Sequence, residues 1–255
     1  MTIFEAVILG VVQGITEVFP VSSSGHLFLV ESWLGLAPEL SLEILLHAGS
    51  LLAIIIFFWK DIWELLQKVL KRERDAWVFC GKLLLATVIT GVVGVLLQEK
   101  LVDHLSVVSV GGTLLITAGL IFLSDFLSNK SVQKTGVLSW SMTAVLGLVQ
   151  ALAVLPGLSR SGLTIAFLLS IGLKPKAALM ISFFLGIPTM AGATVFTITK
   201  EGIGVVTLPV IIGFILAFIF SLVSLQLFYQ SVRKYWRYWG VYCVVVGLGL
   251  LVIFR

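Results

Sequence analysis

Charge is what this chain has least of. Asp, Glu, Lys and Arg make up 12% of its 255 residues, against 59% that are hydrophobic; soluble domains carry about 25% charged residues. The shortage excludes a water-soluble globule and implies a protein immersed in lipid with little chain outside the bilayer. Cysteine is nearly missing as well. Cys80 and Cys243 sit singly in apolar runs, without the paired spacing of a metal site, and are read as packing residues. The opening M-T-I-F-E contains Glu5 but no Lys or Arg, so the basic start of a cleavable signal peptide is not found there. Nor is there a long basic block. The net charge of +4 is dispersed over short loops between apolar runs, which argues for orientation in a membrane and against a nucleic-acid partner.

What is present is a succession of hydrophobic runs. A full span takes about 20 residues, and such spans are predicted at 42–59, 78–97, 107–127, 177–199, 207–228 and 240–254. Two further stretches are broken into pieces too short to cross: 3–19 with 25–36, and 138–155 with 162–173. Each reads as a re-entrant helix pair that returns to the side it entered from. On that layout one side holds Lys60, Lys68, Lys71, Arg72, Arg74, Lys130, Lys134, Lys174, Lys176, Arg233, Lys234 and Arg237. The other holds Lys100, Lys200 and Arg255. Lys and Arg mark the cytoplasmic side, so both termini and the first broken pair face outward. Seven tryptophans, at 33, 59, 63, 77, 140, 236 and 239, fall near predicted span ends, where interfacial belts lie. Gly91, Gly94, Gly111, Gly112, Gly247 and Gly249 read as close-packing positions between helices. The amphipathic stretch 60–74 reads as a helix lying against headgroups.

Residues 13–26, Q-G-I-T-E-V-F-P-V-S-S-S-G-H, gather Gln13, Glu17, Ser22, Ser23, Ser24 and His26 inside this apolar chain. A charged side chain at bilayer depth costs about 3 kcal/mol or more. An interfacial loop would explain one such break, but the chain repeats it. A shift of 137 residues, the separation of Gly10 and Gly147, lays Gln13 on Gln150, Ser22 on Ser159, Ser24 on Ser161 and Gly25 on Gly162. Without a gap it continues through Gly35 on Gly172, Pro38 on Pro175 and Gly49 on Gly186. The second copy reads L-P-G-L-S-R-S-G-L-T, with Arg160 where the first has Ser23. Three full spans per copy is an odd number, so the repeats, at about 1–127 and 138–255, have inverted topology. The expectation is an all-α polytopic membrane protein, one domain over residues 1–255. It has about six transmembrane helices and two re-entrant pairs.

In both copies the serine run leads into a helix starting at Gly25 or Gly162, with Ser24 and Ser161 as N-caps. Two such helix starts, brought together with Arg160 and the hydroxyls of Ser22, Ser23, Ser159 and Ser161, suit a multiply charged anion such as phosphate or pyrophosphate. The plainer alternative for Arg160 is a salt bridge to Glu17. Gln13 and Glu17 are four apart and share a helix face. They offer divalent-metal ligands, or Glu17 serves as a general acid or base. His26, one residue past Gly25, is either a packing residue or a catalytic group reaching phosphorus. Glu43 and His47 form a weaker pair with a supporting role; Glu5 and Glu31 are expected near the outer interface.

The stretch Q-x-x-x-E-x-x-P-x-S-S-S-G-H, the stretch P-G-x-S-R-S-G-x-T at 156–164 and the run H-A-G-S-L-L-A from His47 resemble the undecaprenyl-pyrophosphate phosphatases of the bacitracin-resistance type. The resemblance covers essentially the whole chain. It implies hydrolysis of undecaprenyl pyrophosphate to the monophosphate carrier of cell-wall polymers, on the outer face of the inner membrane, with Mg2+ or Ca2+ as cofactor. By position it implies an acidic motif at Gln13 and Glu17, a serine motif at Ser22 to Ser24, the histidine at His26 and the phosphate-binding arginine at Arg160. Gly25, Ser159, Ser161, Gly162 and Thr164 complete the substrate site. Gln13 stands where many members have a second glutamate. Whether a serine, His26 or water attacks phosphorus stays open, as does a homodimer. The rival from another class is a lipid-phosphate flippase or anion transporter, which needs the anion site but no nucleophile.

Overall fold

The computed structural model describes residues 1–36, 40–101, 106–128 and 138–254, with residues 40, 41, 98–101 and 201 described by backbone alone. Pro38, Lys130, Lys134 and Arg255, and the side chain of Lys100, lie outside the described residues. Among the described residues there are ten α-helices, one short 3-10 turn and no strand. They are α1 (Ile3–Thr16), α2 (Ser23–Leu34), α3 (Leu40–Phe57), α4 (Trp59–Leu70), α5 (Arg74–Leu101), α6 (Val107–Ser128), α7 (Trp140–Ala151), α8 (Arg160–Ser170), α9 (Pro175–Glu201) and α10 (Leu208–Ile253). A chain this apolar satisfies its backbone within helices because lipid offers no partner for a free N–H or C=O.

Four helices are long and apolar enough to cross a membrane, namely α5, α6, α9 and α10, and α3 bends by 69° into the amphipathic α4. The bend falls at Phe58, whose ring is buried against Phe183 and Phe184, while Trp59, Trp63 and Leu70 of α4 stay exposed. The short helices fall where the broken stretches were expected. Residues 17–22 join α1 to α2, and residues 152–159 join α7 to α8.

One expectation is corrected. The predicted spans 207–228 and 240–254 are a single helix, α10, of 46 residues. The intervening Y-Q-S-V-R-K-Y-W-R-Y-W lowers hydropathy but contains neither Gly nor Pro, so nothing in it interrupts the backbone ladder. At 1.5 Å per residue the helix is about 69 Å long. It keeps one buried stripe from Val210 through Ala217, Leu225, Phe228, Val232, Trp236 and Cys243 to Gly247. Phe228 and Trp239 both close on Phe19, with ring centroids 5.5 and 4.1 Å from it. Accordingly Trp236 is no belt residue: it is buried, and its indole donates to Ser124 at 2.9 Å.

Packing is reciprocal between the two halves. α1 and α3 pack on α10, while α7 and α9 pack on α5. Contact is closest where glycines remove side chains, at Gly10 against Gly213, Gly147 against Ala86 and Gly111 against Gly247, since apolar tails give helices no solvent-driven reason to associate. Gly91, Gly112 and Gly249 meet nothing within 4 Å and are not packing positions in this chain. α8 is buried on nearly every side, from Ser161 through Ala166 to Leu169. Its polar start therefore lies deep in the protein.

Candidate functional site

The two hairpin turns touch each other. The caps lie two residues before the expected ones. Ser22 accepts from Gly25 N–H at 3.3 Å and Ser159 from Gly162 N–H at 3.0 Å, because a cap hydroxyl reaches the third helical N–H and not its own neighbour. Ser23 and Arg160 thus become the first residues of α2 and α8. Ser22 holds φ at +68°, a strained value for a non-glycine that costs about 1–3 kcal/mol. Its hydroxyl also accepts from Gly157 N–H at 3.1 Å, tying one turn to the other, and Ser161 donates back to Phe19 O at 3.3 Å. Gly157, at φ +89°, lies where a Cβ would come 1.9 Å from Thr113 Oγ1. Thr113 and Thr117 of α6 donate to Pro156 O and Gly157 O.

Glu17 is the hub where the halves meet. Its Oε1 accepts from Arg160 Nη2 at 2.8 Å. Its Oε2 accepts from Ser23 Oγ at 2.6 Å and from Gln13 Nε2 at 3.2 Å, and His47 Nε2 lies 3.9 Å from it. The salt bridge considered as the plainer alternative for Arg160 is therefore present, within the site. Arg160 also donates to Met190 Sδ at 3.2 Å and stands over the Phe183 ring. Its Nη1 is buried and has no acceptor. A buried guanidinium N–H without an acceptor is costly. Further donors come from the N–H groups of Ser23, Ser24, Arg160 and Ser161, the first two of each helix, which have no intrahelical acceptor.

His26 stands apart from this hub. Its Nδ1 faces Ser22 O at 2.8 Å and its Nε2 faces Tyr242 Oη at 2.8 Å. Because Ser22 O can only accept, Nδ1 carries the proton, and in the neutral ring Nε2 accepts from the tyrosine. Both nitrogens are thus engaged, and the ring pins the strained carbonyl of Ser22. The hydroxyls expected to meet an anion are mostly spent within the protein too. Ser22 and Ser159 cap, Ser161 reaches Phe19 O, and Thr164, fully buried, bonds Ser182 Oγ at 2.6 Å and Arg160 O at 2.8 Å. Ser24 touches Ser22 Oγ at 3.3 Å. Gly25 and Gly162 are buried in the first turns. Glu31, expected at the outer interface, is buried.

Several members of the site carry no motif. Ser50, between Gln13 and Ser221, lies in the H-A-G-S run, and Gly186 was visible only as the repeat partner of Gly49. Nothing singled out Met190, Phe183 or Tyr242. A cavity of about 230 Å³ lined by Glu43, Ile44, His47, Met190, Ala193, Thr194 and Thr197 opens beside the hub, sharing His47 and Met190 with it. Among the described residues no three His, Cys, Asp or Glu side chains converge on a metal position. Gln13 turns its amide nitrogen toward Glu17, at 3.2 Å.

A family model described as bacitracin resistance protein BacA matches residues 6–249. The undecaprenyl-diphosphatase of Oceanobacillus iheyensis is 36% identical over 98% of this chain and 96% of its own length. Undecaprenyl-diphosphatase 2 of Bacillus thuringiensis is 37% identical over 98% of this chain and 97% of its own, and the undecaprenyl-diphosphatase of Methanosphaera stadtmanae is 34% identical over 99% and 98%. With a match running through both hairpins and every helix that holds the hub, the chain belongs to the bacitracin resistance protein BacA family.

Proposed function

We propose that this protein is an integral membrane phosphatase that hydrolyses undecaprenyl pyrophosphate to undecaprenyl phosphate and inorganic phosphate. The carrying observation is the juxtaposition of a buried guanidinium with an unused N–H and a hydroxyl held 2.6 Å from a carboxylate. An anion site alone would serve transport. A serine hydroxyl hydrogen-bonded to a carboxylate is the nucleophile-and-base pairing of covalent catalysis, and a transporter has no use for it.

In this reading Arg160 turns from Glu17 toward the diphosphate, aided by the N–H groups at the starts of α2 and α8, and the carboxylate is freed to act. Ser23 Oγ attacks the terminal phosphorus as its proton passes to Glu17, and the bond to the bridging oxygen breaks, releasing the prenyl monophosphate. Glu17 passes that proton to the departing prenyl monophosphate. Water then attacks the phosphoserine as its proton goes to Glu17, and the bond from phosphorus to Ser23 Oγ breaks. Oγ takes the proton back from Glu17, and inorganic phosphate leaves. Phosphoryl transfer asks mainly for positioning and charge stabilisation, which the fixed cation and helix starts supply. His26 and Tyr242 hold the turn, and the prenyl chain leaves along the cavity between α3 and α9. A divalent cation, Mg2+ or Ca2+, belongs to this reading only as a companion of the diphosphate, and no step is assigned to it.

The proposal includes two inverted repeats within the plasma membrane, the first hairpin entering from outside, although with α10 continuous the count of three spans per copy no longer carries it. It is supported by the exchange of packing partners between halves and by Pro20 and Gly157, 137 residues apart, each giving its carbonyl to a neighbouring span, Pro20 to Cys243 Sγ and Gly157 to Thr117 Oγ1. Purified protein in detergent, given undecaprenyl pyrophosphate, is expected to release inorganic phosphate. Binding without release would leave a carrier and refute the enzyme.

A further inference from the structure

Resting on the phosphatase reading, we infer that without diphosphate the site of this chain holds no divalent cation of its own, and that a cation serving the reaction enters already coordinated to the diphosphate. Hard divalent cations select carboxylate and carbonyl oxygens, several at once. Among the described residues Glu17 is the carboxylate within the hub, and each of its oxygens already accepts a hydrogen bond. Oε1 is paired with Arg160, while Oε2 receives Ser23 and the Gln13 amide. A cation approaching Glu17 meets the fixed positive charge of Arg160 2.8 Å from the same group.

Gln13 points the same way. Its Nε2 donates both to Glu17 Oε2 and to Ser50 Oγ, at 3.2 and 3.4 Å, and Ser50 is held in turn by Ser221 at 3.0 Å. Reversing the amide to offer Oε1 beside Glu17 would lose the donation to the carboxylate and set two acceptors against each other, while Ser50 would turn from acceptor to donor. Oε1 is left buried and without a donor on the far side of the amide. Glu17 and Arg160 cancel in charge, so without diphosphate the site lacks the negative excess that draws in a divalent ion. A bound diphosphate brings that excess and takes Arg160 to itself.

The test is titration of Mn2+ into the full-length protein in detergent, following the free-ion electron paramagnetic resonance signal. Without diphosphate the wild type is expected to leave the signal as in buffer. With methylenediphosphonate and protein together, equilibrium dialysis is expected to retain Mn2+ and diphosphonate in equal amounts, more than either retains alone. Gln13→Glu restores a second carboxylate one turn from Glu17, and Arg160→Ala removes the competing charge; each is expected to tighten Mn2+ binding at least tenfold without diphosphonate. Saturable binding of one Mn2+ per wild-type chain in the absence of diphosphonate, lost in Glu17→Ala, overturns the inference, and this wild-type result stands even if a variant does not fold. Phosphate release is measured on the same preparation. Its absence counts against the phosphatase reading, whereas release together with Mn2+ binding in the absence of diphosphonate counts only against this inference.

Discussion

Gly186 offers a sharp perturbation of the hub that removes none of its polar groups. It lies on α9 against the guanidinium of Arg160, and a Cβ there would come 2.2 Å from Nη1 and 2.8 Å from Cζ. Carbon needs about 3.5 Å from a non-bonded heavy atom, so Gly186→Ala forces the guanidinium back by more than about 1 Å. The far end of an arginine can make that move at little cost in stability, and replacing a helical glycine by alanine gains about 0.8–1 kcal/mol. Function is different, because a displacement of about 1 Å in a positioned catalytic group costs about 10²-fold in rate. The expected outcome is a kcat/KM for phosphate release about a hundredfold below wild type, carried mainly by kcat, with thermal unfolding unchanged or slightly later. Gly192→Ala on the same helix, where nothing lies within 4 Å, is the control and should leave turnover unaltered. A Gly186→Ala protein that turns over within about threefold of wild type would refute the reasoning that the placement of the Arg160 guanidinium limits the reaction.

Ser23→Ala is expected to lower turnover by at least about 10³-fold, as loss of an activated nucleophile does, with the melting temperature near wild type. Ser24→Ala, whose hydroxyl meets only Ser22, should stay within about tenfold in the same phosphate assay. Ser22→Ala strands the buried N–H groups of Gly25 and Gly157, at about 1–3 kcal/mol each, and an early thermal transition should report it. Tyr242→Phe removes the hydroxyl that occupies His26 Nε2 and should cost about 1 kcal/mol of stability without raising turnover. A rise in rate would mean that the freed imidazole attacks phosphorus in place of Ser23.

The hairpins were legible because they are written in composition: polar residues where lipid forbids them, twice, at one spacing. Gln13, Glu17, Ser23 and Arg160 could be assigned to one site because the repeat demanded that they converge. The continuity of α10 was not legible because hydropathy measures where a chain prefers to lie, and a basic stretch without Gly or Pro goes on forming helix regardless. The caps were placed two residues late because the geometry of a capping hydroxyl, and not its adjacency to the helix, decides which serine is used. The engagement of His26 by Tyr242 depends on residues 216 apart, for which no local pattern exists. Gly186 looks like any glycine in an apolar helix until Arg160 is laid against it.

The most direct measurement is phosphate release from a long-chain prenyl diphosphate by purified Glu17→Gln and Arg160→Ala proteins, each shown to be folded. Glu17→Gln keeps the shape of the hub but cannot take the Ser23 proton, and Arg160→Ala removes the charge that holds the diphosphate. Both are expected to lose turnover by at least about 10²-fold, Arg160→Ala with weakened binding of methylenediphosphonate and Glu17→Gln with binding retained. Turnover near the wild-type rate in either protein would contradict the account.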